Sequence, residues 1–112
     1  MGSNVNRKEA AKAFKAREVP KGIFAIRCRI TGAVWVDSSP NLDAAHNGAW
    51  FQLRAGLHPD KRLQDEWNAC GEEAFNFEVL ETLDHDLSPV GIRDILRDKK
   101  RKWATEVGGY PL

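Results

Sequence analysis

Gly22-Ile23-Phe24-Ala25-Ile26-Arg27-Cys28-Arg29-Ile30, followed closely by Ala33-Val34-Trp35-Val36-Asp37-Ser38-Ser39, is the stretch that decides the fold. Residues 23–30 favour β structure and would place Phe24, Ile26, Cys28 and Ile30 on one face. Thr31-Gly32 suits a tight turn into a second strand over Ala33–Asp37, so the two segments are predicted to form an antiparallel hairpin.

Outward from the hairpin, helix signals dominate. Ser39-Pro40 offers a capping hydroxyl followed by proline at a first helical position. Leu42, Ala45, Ala49 and Leu53 then recur at helical spacing, and Gly56 is a natural stop. Asn47-Gly48 inside that helix is locally unfavourable by about 1 kcal/mol relative to alanine, which suggests close approach of something to the backbone, or a bend. A shorter helix is predicted over Pro59–Ala69, with Leu63 and Trp67 inward and Gly71 closing it. Phe75, Phe77 and Val79 alternate with Asn76 and Glu78, which reads as a third strand with one buried face. Ser88-Pro89 opens a last, basic helix over 89–106, with Ile92, Ile95, Leu96 and Trp103 inward and Gly108-Gly109 after it. At the other end, Asn6 and Glu9 make a capping-box pattern for a basic helix over 7–18.

The predicted order is α-β-β-α-α-β-α, an α+β arrangement in one domain over residues 1–112 with its core in 22–83. A length of 112 residues supports a single modest core. A hydrophobic content of 42% and a charged content of 29% are those of a soluble globular chain. No apolar run approaches the roughly 20 residues of a membrane-spanning helix, and the polar, basic N-terminus is unlike a secretory signal. Cys28 and Cys70 are too few for a Cys-rich metal site and read as buried free thiols of a cytoplasmic protein.

The net charge of +1 conceals segregation. Residues 1–30 carry Arg7, Lys8, Lys12, Lys15, Arg17, Lys21, Arg27 and Arg29 against Glu9 and Glu18. Residues 93–102 carry Arg93, Arg97, Lys99, Lys100, Arg101 and Lys102 against Asp94 and Asp98, whereas 60–86 is strongly acidic. Such a chain can present a basic face to phosphates. Arg27, Arg29, Arg97, Lys99, Lys100, Arg101 and Lys102 are therefore candidate nucleic-acid contacts.

Further residues fall into a recognisable order. Gly22-Ile23-Phe24 and Trp35-Val36-Asp37-Ser38-Ser39 are followed by Asn41-Leu42, Leu53-Arg54-Ala55-Gly56-Leu57-His58, Leu63-Gln64, Gly71 and Phe77-Glu78-Val79-Leu80-Glu81. In order and spacing this resembles the GIY-YIG endonuclease domain. The resemblance implies a small three-stranded antiparallel sheet flanked by helices, and a nucleic-acid partner, DNA ahead of RNA. In that family, tyrosines of the two name motifs lie beside the attacking water, a helix arginine holds the phosphate, and a glutamate binds one divalent metal. Phe24 and Trp35 stand where the tyrosines fall, and neither has a hydroxyl. Asp37 replaces a glycine. The arginine position is Ala45, with His46 one residue later and turned about 100° away on the helix. A further histidine position is Ala49. Matching Trp103 to the family's aromatic puts Lys100 at the metal position, with Asp94 and Asp98 nearby as alternative carboxylates or as partners of Arg97.

His58 matches a histidine that often follows the family's helix, and a neutral imidazole there suits a general base. Trp35 is a candidate stacking surface for a splayed base, while Trp50 and Trp67 fit core stripes and His85 an exposed loop. The resemblance therefore implies a domain that engages DNA or RNA with its hydrolytic chemistry impaired. The alternatives are a divergent metal-dependent nuclease using His58, His46 or Asp37 with Mg²⁺ or Mn²⁺, and a protein–protein adaptor using the acidic segment.

Overall fold

The computed structural model describes residues 19–83 and 89–112. The helix expected over 7–18, His85 and the Ser88 cap lie outside them. Strands β1 (Gly22–Cys28) and β2 (Val34–Ser39) form the expected antiparallel hairpin, in which Phe24 lies opposite Asp37 and Ile26 opposite Trp35. The hairpin closes earlier than the apolar pattern suggests. Cys28 N–H donates to Ala33 O at 2.9 Å and Gly32, at φ 81°, donates to Cys28 O at 2.8 Å. The turn therefore begins at Cys28, and Ile30 is 64% exposed within it instead of extending the buried face.

Helix α1 (Leu42–Ala55) starts two residues beyond the Ser-Pro signal. The Asn41 side chain caps it by accepting from Ala44 N–H at 3.0 Å, while Ser39 Oγ accepts from Asn41 N–H at 2.9 Å and shapes the entry. Gly56 ends it in the left-handed region at φ 76°. Helix α2 (Lys61–Cys70) is capped by Asp60, whose Oδ1 accepts from Leu63 N–H at 2.9 Å. A short 3₁₀ turn (Glu72–Ala74) leads into β3 (Phe75–Thr82), and helix α3 (Pro89–Val107) follows. Among the described residues, no helix is long and apolar enough to cross a membrane.

A fourth strand was not expected. β4 (Tyr110–Pro111) lies parallel to β2, pairing Trp35 with Tyr110 and Val36 with Pro111, so the sheet is mixed, in the order β3-β1-β2-β4. It is two residues long and contains a proline, which a sheet tolerates at an edge. The α+β class with a small helix-flanked sheet holds; the purely antiparallel, three-stranded form does not.

Both faces of the sheet are covered. Phe24, Ile26, Cys28, Trp35 and Phe75 pack against Leu42, Ala49, Trp50, Leu53, Leu63 and Trp67 of α1 and α2. Ile23, Ala25, Val34 and Val36 pack against Leu83, Leu96 and Ala104 on the α3 side. Central β1 is consequently buried at every position but Arg27. A register shift at Ile23/Phe24 re-phases β3, so Phe75 and Phe77 face α1 and α2, Leu80 joins the opposite cluster, and Val79 is 46% exposed. At Gly22 the strands leave no room for a side chain, because a Cβ would lie 1.9 Å from Glu81 O. The cysteine expectation needs correction: both are free, but Cys70 is only half-buried and adjoins Cys28.

Candidate active-site cleft

Because Phe24 and Asp37 are cross-strand partners, the open end of the hairpin presents an aromatic floor beside a carboxylate. Above it, one face of α1 contributes Ala45, Gly48, Ala49 and Gln52, and His58 follows in the next loop. Together with Ile26, Ser38, Ser39 and Leu112 they enclose a cleft of about 240 Å³. Asp37, Gln52 and His58 also line an adjoining hollow with Pro59 and Asp60. On the far side of Ser38, a larger hollow of about 510 Å³ is walled by Arg93, Arg97 and Lys100 of α3.

Asp37 is half-buried. Burial pushes its carboxyl up, and this outweighs the opposing pull of Ser38 N–H and of the Lys100 and His58 charges. Ser38 N–H donates to its Oδ1 at 2.7 Å, and Lys100 Nζ stands 3.7 Å from the same atom. His58 is fixed by its neighbours. Its N–H donates to Gln64 Oε1 at 3.0 Å, and its Nδ1 accepts from Asp60 N–H at 3.1 Å. Gln64, 7% exposed, is held in turn by its Nε2 donating to Leu53 O at 3.0 Å. Burial pushes His58 down against the upward pull of Asp60 and Asp37. With Nδ1 occupied as an acceptor, the neutral ring carries its proton on Nε2. In this arrangement Nε2 is a hydrogen-bond donor, and taking up a proton at Nδ1 requires breaking the Asp60 contact.

The other sequence candidates are dispersed. Phe24 lines the cleft and stacks on Phe77 at 4.8 Å. Trp35 does not fit a base-stacking role: it is 1% exposed, packed between Phe75 and Tyr110, and its Nε1 has no partner among the described residues. His46 lies off the cleft-lining face, stacked on Phe77 at 4.5 Å and edge-on to Trp50 at 4.4 Å. Trp50 and Trp67 are core residues, as expected. Arg27 pairs with Glu78 at 2.6 Å and Arg29 donates to Glu73 O at 3.0 Å, both towards the turn end of the hairpin and away from Asp37. Lys99 pairs with Glu81 at 2.9 Å, and Trp103 Nε1 donates to the same carboxylate at 2.9 Å, fastening α3 to β3. Arg101 and Lys102 are exposed.

Mg²⁺ is usually held through one or two carboxylates, with waters completing its shell. Among the described residues Asp37 is the one carboxylate side chain of the cleft, beside the hydroxyls of Ser38 and Ser39 and the amide of Gln52, and it already has a cation beside it. Asp94 and Asp98 are exposed and paired with Arg97 at 3.2 and 3.7 Å. A Mg²⁺ or Mn²⁺ ion at Asp37 would therefore have to displace Lys100. Among the described residues, three metal-ligating side chains meet at Cys28, Glu66 and Cys70, at the other end of β1.

Sequence reading passed over Gln52 and the meeting of Lys100 with Asp37. Gln52 lies seven residues after Ala45, a spacing that returns to the same helix face and could have revealed it. No local signal links residues 37 and 100.

No family model matches this sequence, and no curated protein does. Two solved structures are similar to it. One is the catalytic domain of the intron endonuclease I-TevI in a mutant form, 22% identical, covering 82% of this chain and 92% of that one at a TM-score of 0.69. The other is the catalytic domain of the homing endonuclease I-TevI, 23% identical, covering 82% of this chain and 97% of that one, also at a TM-score of 0.69. The chain thus has a GIY-YIG-like fold.

Proposed function

We propose that this domain engages nucleic acid, DNA ahead of RNA, across the cleft and the adjoining α3 face, and that its hydrolytic chemistry is impaired. The observation that supports this reading most is the 3.7 Å approach of Lys100 to Asp37, since the resemblance puts the family's metal-binding glutamate at Lys100. Phosphodiester hydrolysis also needs a group to activate water and another to hold developing charge. Phe24 has no hydroxyl and Ala45 no cation to offer the cleft they line. Losing one such group typically costs about 10²–10³ in rate, and losing several together should leave little. Arg93, Arg97 and Lys100 around one hollow, with Arg101 and Lys102 beyond, supply positive charge for phosphates.

The test incubates the full chain with labelled single- and double-stranded DNA and RNA over a salt series, with Mg²⁺ or Mn²⁺ and then EDTA. Salt-sensitive binding without cutting supports the reading. EDTA-sensitive cutting overturns the impairment, and absence of binding overturns the whole. If binding occurs, Arg93→Ala and Arg97→Ala should each reduce the log–log salt slope by roughly 0.7–0.9 for every phosphate that the removed guanidinium neutralised.

A second reading, a divergent nuclease, draws on a different observation. Asp37 and His58 share one cleft and are shifted in opposite directions, a pattern found at catalytic sites. Under that reading His58→Ala lowers cutting by about 10²-fold or more while binding persists. Full cutting by that variant removes His58 from the chemistry.

A further inference from the structure

The pair Cys28 and Cys70 is joined by a third group that no other feature of the fold explains. Cys28 closes β1, while Glu66 and Cys70 stand four residues apart on α2, so their side chains share one helix face. One donor atom from each lies within 4.8 Å of the other two. Glu66 Oε2 is buried with no hydrogen-bond partner among the described residues. A buried carboxylate oxygen left without a donor or cation is unfavourable, so this one points to a missing positive partner.

We propose that Cys28, Glu66 and Cys70 form a binding site for a soft divalent cation, Zn²⁺ above all, which clips α2 to the end of β1. Thiolate sulfur selects Zn²⁺ over Mg²⁺ or Ca²⁺. Zn–S bonds of about 2.3 Å in a tetrahedron place ligand atoms about 3.8 Å apart. Donors already within 4.8 Å need move by only about 1 Å to reach that spacing. Three protein ligands leave a fourth position for water.

The surroundings suit a metal-bound thiolate. The Thr31 hydroxyl, the Thr31 and Ile30 N–H groups and Cys70 are hydrogen-bond partners of the Cys28 sulfur. Such contacts also orient metal-bound sulfur. Cys70 adjoins both Cys28 and Glu66, and a bound cation relieves the repulsion among their negative charges. Binding releases to solvent whatever protons the two thiols still hold, and no electron is transferred. The site stands apart from the cleft, so it can fail without affecting the proposed function.

The test uses the full chain, reduced and metal-free, titrated with Co²⁺ and then Zn²⁺. The proposal expects one equivalent of Co²⁺ with a sulfur-to-metal charge-transfer band and tetrahedral d–d bands, displaced by Zn²⁺. Zn²⁺ should also raise the melting temperature. Cys70→Ser should weaken Zn²⁺ binding about tenfold or more and diminish the charge-transfer band. Glu66→Gln should weaken binding but keep the band at full intensity per bound metal. Both changes are on half-buried side chains, and circular dichroism checks that each variant is folded. The proposal is overturned if no charge-transfer band appears, if Cys70→Ser binds as tightly as the parent, or if the chain only forms a Cys28–Cys70 disulfide and takes up no metal.

Discussion

Lys100 Nζ stands 3.7 Å from Asp37 Oδ1 and donates a 2.6 Å hydrogen bond to the main-chain oxygen of Leu112. One lysine of α3 thereby joins the end of β2 to the residue after β4. Tyr110 and Pro111 extend the sheet beside Trp35 and Val36, and Leu112 N–H donates to Val36 O at 2.8 Å. The cleft is thus held by a contact that also sets a cation beside Asp37.

Asp37 has a definite consequence for stability. Its folded-state carboxyl binds a proton more tightly than the ordinary value of 3.8 implies, chiefly through burial. The native state therefore holds more proton than the unfolded chain between the two values, and stability falls as pH rises through that window. Asp37→Asn keeps an oxygen for Ser38 N–H and removes the charge. It should be more stable than the parent at neutral pH, with the gain vanishing below about pH 4. Urea titrations at several pH values check this, and a less stable variant at pH 7 would count against the burial argument.

His58 behaves in the opposite sense. Burial lowers it below 6.5, so its stability contribution is complete above that value and is lost as pH falls through the folded-state value. Nitrogen-15 NMR should show the Nε2–H tautomer at pH 7 and a titration midpoint below that of free histidine. His58→Gln should remove this part of the pH dependence. A midpoint above 6.5 would mean that Asp37 and Asp60 outweigh burial.

The sequence conveyed local features better than meetings between distant segments. Gly56 and the spacing of Leu42, Ala49 and Leu53 mark one helix directly, and Gly108 the end of another, because caps and periodicity act within a few residues. Ile30 continues the apolar alternation yet lies in the turn, since alternation does not register that Cys28 already bonds to Ala33. β4 is a strand only by virtue of docking on β2, and its Tyr110-Pro111 pair has no pattern of its own. The nearness of Phe24 to Asp37 was legible because both fall in the predicted hairpin, where they are register partners and line one cleft. The burial of Trp35 was not, because it depends on Phe75 and Tyr110 arriving from elsewhere in the chain.

Two glycines should respond to alanine with opposite signs. A Cβ at Gly22 meets the Glu81 carbonyl at 1.9 Å, so Gly22→Ala must part β1 from β3. It should cost about 2–3 kcal/mol, in the range of overpacked cores. Gly48 lies within α1 with nothing within 4 Å of an added Cβ. Gly48→Ala should therefore stabilise by up to about 1 kcal/mol through helix propensity. Denaturation midpoints check both, and because Gly48 lines the cleft, the same variant reports on ligand approach. A stabilised protein with weakened DNA binding would place the phosphate chain against that helix, and unchanged binding would place it elsewhere.

The proposed impairment rests on particular side chains, so it should be partly reversible. Ala45 lines the cleft beside Phe24, and Lys100 stands over Asp37. Ala45→Arg supplies a guanidinium where phosphate would lie, and Phe24→Tyr a hydroxyl on the cleft floor. Lys100→Glu replaces the cation with a second carboxylate close to Asp37. Without metal the two carboxylates repel each other, so the Lys100→Glu protein should melt below the parent and raise the Asp37 titration further. Mg²⁺ should then restore part of the lost stability, because it binds the folded state alone, while leaving the parent unaffected. Trp35 stays unchanged in this series, since its side chain is core and its replacement would confound folding with chemistry. The triple variant should show weak, EDTA-sensitive cutting of DNA that the parent lacks, weak because supporting contacts are rarely right by chance. If Lys100→Glu is folded and its melting temperature does not respond to Mg²⁺, the position of Lys100 does not explain the impairment. The carboxylate a metal would need must then be sought on another part of the α3 face.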